Sequence, residues 1–149
     1  NAYCPGQQAH RILPKAIICA LSKQRLKLQG GGNAEKSYLH ATDLSRAIMT
    51  VIAEGKAGEI YNVGPYDPIS IKALVMGVAS ACDVAFDDLV EIAPDRVGQD
   101  SRYWLDSSKI GELGWKQEIG LVEGINDMVR WVRRYPQLLE MDTTYRLLP

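Results

Sequence analysis

The chain carries more wide apolar helix faces than it has strands to cover them. The clearest face is Ile71, Leu74, Val75, Val78, Ala79 and Cys82, spaced three and four apart behind Ser70, which is placed to cap the helix. Leu13, Ala16, Ile17, Ala20 and Leu21 form a second, with Pro14 in the first turn, where its missing N–H is harmless. Leu44, Ala47, Ile48, Val51 and Ile52 form a third, with Thr42 as expected N-cap and an end near Gly55. Ile125, Met128, Val129 and Val132 form a fourth, ending before Pro136, with Arg130, Arg133 and Arg134 in turns where the helix dipole favours cations. Between them lie short strand-like runs at residues 26–29, 37–40, 59–63 and 89–93. Gly30-Gly31-Gly32-Asn33 is a turn, residues 94–102 a polar loop, and residues 107–113 a short helix closed by Gly114. Helices alternating with strands give an α/β class, α+β for this chain taken alone. A doubly wound sheet needs more strands than these. Some helix faces are therefore expected to meet a part outside this sequence, and without it the chain is expected to self-associate.

Charge and cysteines narrow the function. With 17 basic against 18 acidic residues, nothing favours nucleic acid or an anionic membrane as partner. Apolar runs such as residues 16–21 fall far short of the roughly 20 residues that span a bilayer. The first residues have no basic segment leading into an apolar run, as a signal peptide would, and no initiating Met, so the natural start is expected elsewhere. Cys4, Cys19 and Cys82 are odd in number and widely spaced, and His10 and His40 have no other good ligand nearby in sequence. Neither a disulfide framework nor a metal site is expected, and the setting reads as reducing and cytoplasmic.

Four ordered segments carry a further message. They are Asn1-Ala2-Tyr3-Cys4-Pro5 with His10-Arg11-Ile12-Leu13-Pro14; LKLQGGGNAEKSYLHATD from Leu26 to Asp43; Gly58-Glu59-Ile60-Tyr61-Asn62-Val63-Gly64; and Asp95-Arg96-Val97-Gly98-Gln99-Asp100-Ser101-Arg102-Tyr103. Leu113-Gly114-Trp115-Lys116, Glu123-Gly124-Ile125 and Trp131 complete the pattern. In this order and spacing they resemble the extended short-chain dehydrogenases/reductases, the NAD-dependent nucleotide-sugar epimerases and dehydratases. The fourth segment leans toward the dehydratase branch. The resemblance implies one substrate-binding domain over residues 1–149, with residues 40–64 at the edge of a Rossmann-type domain that the sequence does not contain. It also implies a nucleotide-diphosphate sugar as partner and NAD as cofactor, held by the missing half.

The resemblance also implies which residues contact that ligand. A diphosphate calls for cations, best an arginine with its planar fork of donors. Arg96 takes that place in a Gly-containing polar loop, or else is a solvated surface arginine. Lys36 stands where the family has a phosphate-contacting arginine; it keeps the charge without the bidentate geometry, or is a turn lysine. Arg11 opposes the dipole of the helix it precedes, which favours a binding role. Asn1 matches a substrate-contacting asparagine. Ile12, Leu13, Lys27, Leu28 and Gln29 are implied to lie partly around the base, through backbone or as packing residues. Ser70 stands in for a contacting asparagine or acts only as a cap, and Tyr103 either touches substrate or packs.

The chain departs from the family at Cys4 for glycine, His10 for glutamate, Lys36-Ser37-Tyr38 for Arg-Asp-Trp, and Val97 for proline. No Gly-rich turn leads from a strand into a helix, and none of the seven tyrosines is followed four positions on by lysine. No catalytic residue is assigned. The readings are part of a 4,6-dehydratase, an epimerase or decarboxylase on the same scaffold, a non-catalytic sugar-nucleotide module, or a helical interaction domain without ligand.

Overall fold

The computed structural model describes residues 1–95, 98 and 100–144. Strand β1 (Ala2–Tyr3) precedes helix α1 (Ile12–Leu21), β2 (Leu26–Gln29), β3 (Glu35–Lys36), β4 (Leu39–His40) and α2 (Ala41–Glu54). Then come β5 (Ile69–Ser70), α3 (Ile71–Cys82), the one-turn α4 (Phe86–Leu89), β6 (Val90–Ala93), β7 (Arg102–Tyr103), α5 (Ser108–Gly111) and α6 (Leu121–Arg134). The strands form three small sheets: β1 with β4, β2 with β6, and β5–β3–β7.

The main core follows from the helix stripes. Helix α1 buries seven of its ten residues, so it lies inside, packed against α3 and α6. Helix α3 contributes Leu74, Val75, Val78, Ala79 and Cys82, and α6 contributes Ile125, Met128, Val129 and Val132. Each fully buried Leu, Ile, Val or Met side chain adds roughly 1.5–3 kcal/mol. The glycine of α6 at position 124 is a packing requirement: the Tyr3 ring lies directly on its Cα, where any β-carbon would collide. Strand β2 sits against this core by alternation, Leu26 and Leu28 inward, Lys27 and Gln29 outward. A second, smaller cluster joins Leu39, Ala47, Ile110 and Trp115, with Leu44, Val51, Tyr61 and Val63 around it.

Four local expectations change. The run at 37–40 is not one strand: residues 35–36 belong to the β5–β3–β7 sheet and residues 39–40 pair with β1, so the backbone changes sheets at Ser37-Tyr38. The N-cap of α2 is His40, whose Nδ1 accepts the Thr42 N–H at 3.3 Å; Thr42 already lies inside the helix. Residues 59–63 form no strand and pair with none among the described residues. Leu89 closes α4 and the following strand begins one residue later. Ser70, by contrast, caps α3 as expected, accepting the Ala73 N–H at 3.0 Å.

The third helix stripe is only half used. Ala47 is buried, but Ile48, Met49 and Ile52 are exposed, Ile52 by 71%. Ile60 lies 79% exposed in the unpaired segment that follows.

Candidate functional site

Several implied ligand contacts converge on the turn Gly30-Gly31-Gly32. It leaves the carboxyl end of β2, which runs parallel to β6 with Gln29 opposite Ala93. Three successive positive φ angles, +55°, +64° and +73°, fold it tightly, which glycine alone adopts without strain. Its far end rests on the first turn of α3, so that any β-carbon on Gly32 would stand 2.7 Å from the Lys72 nitrogen. Three residues later the chain enters β3, and the Ile71 N–H donates to the Ala34 carbonyl at 3.0 Å. The turn therefore ties together Lys27, Leu28 and Gln29 on β2, Lys36 on β3 and Ser70 at the head of α3.

The three-stranded sheet adds Tyr103. Glu35 is in register with Ser70 and Arg102, and Lys36 with Ile69 and Tyr103. In-register neighbours point to the same side, so Lys36, Ile69 and Tyr103 share one face of the sheet while Glu35, Ser70 and Arg102 share the other. Glu35 and Arg102 form an exposed ion pair at 3.1 Å. The Lys36 ammonium donates to the Asp100 carbonyl at 2.8 Å, and the Ser37 hydroxyl donates to the Tyr103 carbonyl at 3.3 Å.

The other implied contacts are placed as follows. Arg11 is exposed at the N-cap of α1, its side chain without hydrogen bond or ion pair among the described residues. Ile12 is half-buried and Leu13 buried in that helix's first turn. Asn1 is exposed, and both its amino group and its Nδ2 donate to the Ser37 carbonyl, at 2.7 and 3.1 Å. Leu28 is buried, which leaves only its backbone for a ligand. Arg96 lies outside the described residues. A hollow of about 390 Å³ lies beside Cys19, Lys23, Asp83 and Asp88, and another of about 360 Å³ beside Gly77, Ser80, Val122 and Asn126. Neither is lined by a residue of the implied set.

Sequence reasoning missed two polar groups below this surface. Asp43 is completely buried. Its carboxylate accepts the N–H groups of Glu118 and Ile119 at 3.1 and 3.0 Å and pairs with Arg46, while its carbonyl accepts the Trp115 indole N–H at 3.1 Å. It pins the 115–119 loop to α2. The only sequence signal was an acid in the first turn of a helix, which ordinarily reads as exposed. The second is His40, buried with its ring edge-on to Tyr3 at 5.4 Å and its Nε2 3.7 Å from Asp127. Tyr3 is pushed up to about 12 by burial and, secondarily, by the carboxylates of Asp43, Glu123 and Asp127. Burial also raises the Cys19 and Cys82 thiols, so neither is an activated nucleophile.

The family model described as GDP-mannose 4,6 dehydratase matches residues 1–128. The dTDP-glucose 4,6-dehydratase of Streptomyces niveus is 32% identical over 134 residues, covering 89% of this chain and 40% of its own length. The solved structure of a dTDP-glucose 4,6-dehydratase from Streptomyces venezuelae, with NAD bound, superimposes with a TM-score of 0.85 at 31% identity, over 92% of this chain and 42% of that one. A UDP-glucose 4-epimerase from Thermus thermophilus, also in complex with NAD, gives a TM-score of 0.80 at 26% identity, over 90% and 44%. The chain thus spans about two fifths of the length of the relatives it matches. With most of its residues under one family model and its fold shared by solved members, the chain belongs to the GDP-mannose 4,6 dehydratase family of nucleotide-sugar dehydratases and epimerases.

Proposed function

We propose that these 149 residues are the substrate-binding part of an NAD-dependent nucleotide-sugar 4,6-dehydratase acting on a nucleotide-diphosphate hexose. The observation that carries this reading is the convergence of β2, β6 and α3 on the triglycine turn that leads into β3, with β7 paired to β3, within a chain of this family. In it, Lys36, Arg11 and Arg96 face the diphosphate. Lys27, Gln29, Ile12 and the backbones of Leu13 and Leu28 lie toward the base, and Asn1, Ser70 and Tyr103 supply polar contacts. Ser70 does so beside its capping bond, and Lys36 by sharing or exchanging its bond to Asp100.

The described residues do not fit NAD itself. The triglycine turn follows a strand but leads into β3 and not into a helix, so it is not the strand–turn–helix unit that cradles a dinucleotide pyrophosphate. NAD and the catalytic groups are assigned to sequence outside this chain. Residues 40–64, with the exposed Ile48, Met49, Ile52 and Ile60, are proposed to border the cofactor-binding domain, and without it that face promotes self-association. No helix among the described residues is long and apolar enough to cross a membrane, and the cytoplasmic assignment rests on the unpaired cysteines.

Calorimetric titration of the chain with dTDP-, UDP-, GDP- and CDP-sugars tests the site. Saturable binding that Arg96→Ala and Lys36→Ala each weaken by roughly tenfold is expected, since a charge-assisted contact contributes about 1.5–3 kcal/mol. Unchanged affinity in both variants sinks the assignment. The structural likeness to a UDP-glucose 4-epimerase supports a second reading, an epimerase on the same scaffold. Product identification with a chain that includes the cofactor-binding half separates the two.

A further inference from the structure

Past the common end of β2 and β6, the two chains come closer than side chains ordinarily allow. The Asp95 carboxylate lies flat on the bare Cα of Gly30: a β-carbon there would stand 2.6 Å from Asp95 Oδ1 and 2.7 Å from its Cγ. Its two neighbours supply natural controls. Gly31 has a similar positive φ, yet its nearest neighbour is the Asn33 amide at 3.8 Å. Gly32 has the same kind of φ but meets backbone, the Lys72 nitrogen. Alanine at any of the three carries left-handed strain. Only at Gly30 is the atom it collides with first a side-chain atom, Asp95 Oδ1 at 2.6 Å; at Gly32 the Lys72 backbone nitrogen comes first, with the Leu28 methyls at 3.0 and 3.1 Å behind it.

We propose that Gly30 is a positioning residue of the nucleotide-sugar site. Its missing side chain seats the Asp95 carboxylate against the carboxyl end of β2. That seat sets the direction in which the chain leaves β6 toward Arg102–Tyr103, the strand that pairs with Glu35–Lys36. The carboxyl ends of parallel strands are where α/β folds gather ligands, so a displacement at this edge reaches the binding residues. A side chain at position 30 evicts Asp95 while leaving the β2–β6 ladder paired. This inference rests on the substrate-site reading above.

The test uses the 149-residue chain with Gly30→Ala, Gly31→Ala, Asp95→Ala and the double variant Gly30→Ala/Asp95→Ala, with dTDP and UDP as calorimetric probes. Gly31→Ala is expected within about threefold of the parent Kd and Gly30→Ala at least about tenfold weaker, because small misplacements of binding groups are costly. The double variant is expected within about threefold of Asp95→Ala alone, since the collision is gone. Backbone strain alone would not be rescued in this way. Equal losses for Gly30→Ala and Gly31→Ala, or no rescue, overturn the proposal, and so does a Gly30→Ala chain that stays unfolded when Asp95 is trimmed. If the parent binds neither dTDP nor UDP, amide spectra of the free chain decide the positioning claim, and the four-nucleotide titration above decides the substrate reading. Gly30→Ala must then move the signals of residues 93–95 and 102–103 while Gly31→Ala leaves them in place; the opposite pattern sinks it.

Discussion

At the scale of single residues, the polar groups that matter most to folding are those sunk beneath the surface. Asp43 is an acceptor for two backbone N–H groups and the partner of a half-exposed Arg46. Removing it leaves those donors stranded, so Asp43→Ala is expected to cost roughly 2–4 kcal/mol in urea unfolding. Glu118, the other carboxylate on Arg46, is half in water; Glu118→Ala is expected to cost no more than about 1 kcal/mol. Comparable losses in the two variants would contradict the buried role. The tyrosines give a pH test. Burial pushes both Tyr3 and Tyr38 up to about 12, above the ordinary phenol near 10. The unfolded chain therefore gives up these protons first. Their contribution is fully present below pH 10 and drains away as pH rises from about 10 to 12. The urea midpoint is expected to fall over that range, and to fall less steeply in Tyr3→Phe/Tyr38→Phe. Parallel curves would rule out these two hydroxyls as the cause.

At the scale of elements, the same amphipathic pattern has two outcomes. The stripe of α3 is covered along its length, and Leu74 is completely buried. Leu74→Ala is expected to cost roughly 2–5 kcal/mol through lost transfer energy and the cavity left behind. The stripe of α2 is covered only at Ala47 and partly at Leu44 and Val51, so Ile52→Lys is expected to change stability by less than about 0.5 kcal/mol. Its effect should appear in association instead: sedimentation of the parent chain is expected to depend on concentration, and that of Ile52→Lys to depend on it less. A parent that sediments as a monomer at every concentration would remove the case for a sticky α2 face. The triglycine turn is an element in its own right. Gly32→Ala is expected to destabilise more than Gly31→Ala, because the Lys72 backbone cannot step aside as a side chain can.

At the scale of the whole molecule, two apolar clusters of unequal size divide the labour. The larger joins α1, α3 and α6; the smaller holds α2 to the 110–115 region through four buried residues. Fewer buried contacts mean a lower free energy of local opening. Amides in the middle of α2 are therefore expected to exchange faster than those of Ile17, Val78 and Met128, and equal protection would show one cooperative unit. The sequence by itself determined what periodicity and capping chemistry can encode: the four long helices, the buried faces of α1, α3 and α6, the alternating strand at Leu26–Gln29, the glycine turn after it and the Ser70 cap. These are local, because a side chain's neighbours three and four residues away decide them. It also carried the family, since ordered short motifs survive where single residues change. Only the tertiary structure decided that residues 35–40 serve two sheets, that His40 rather than Thr42 caps α2, that Asp43 is buried and that Gly30 carries Asp95. Each of those depends on a group far away in the chain. Burial, pairing and close approach are properties of two segments at once, and a single segment's composition cannot name its partner.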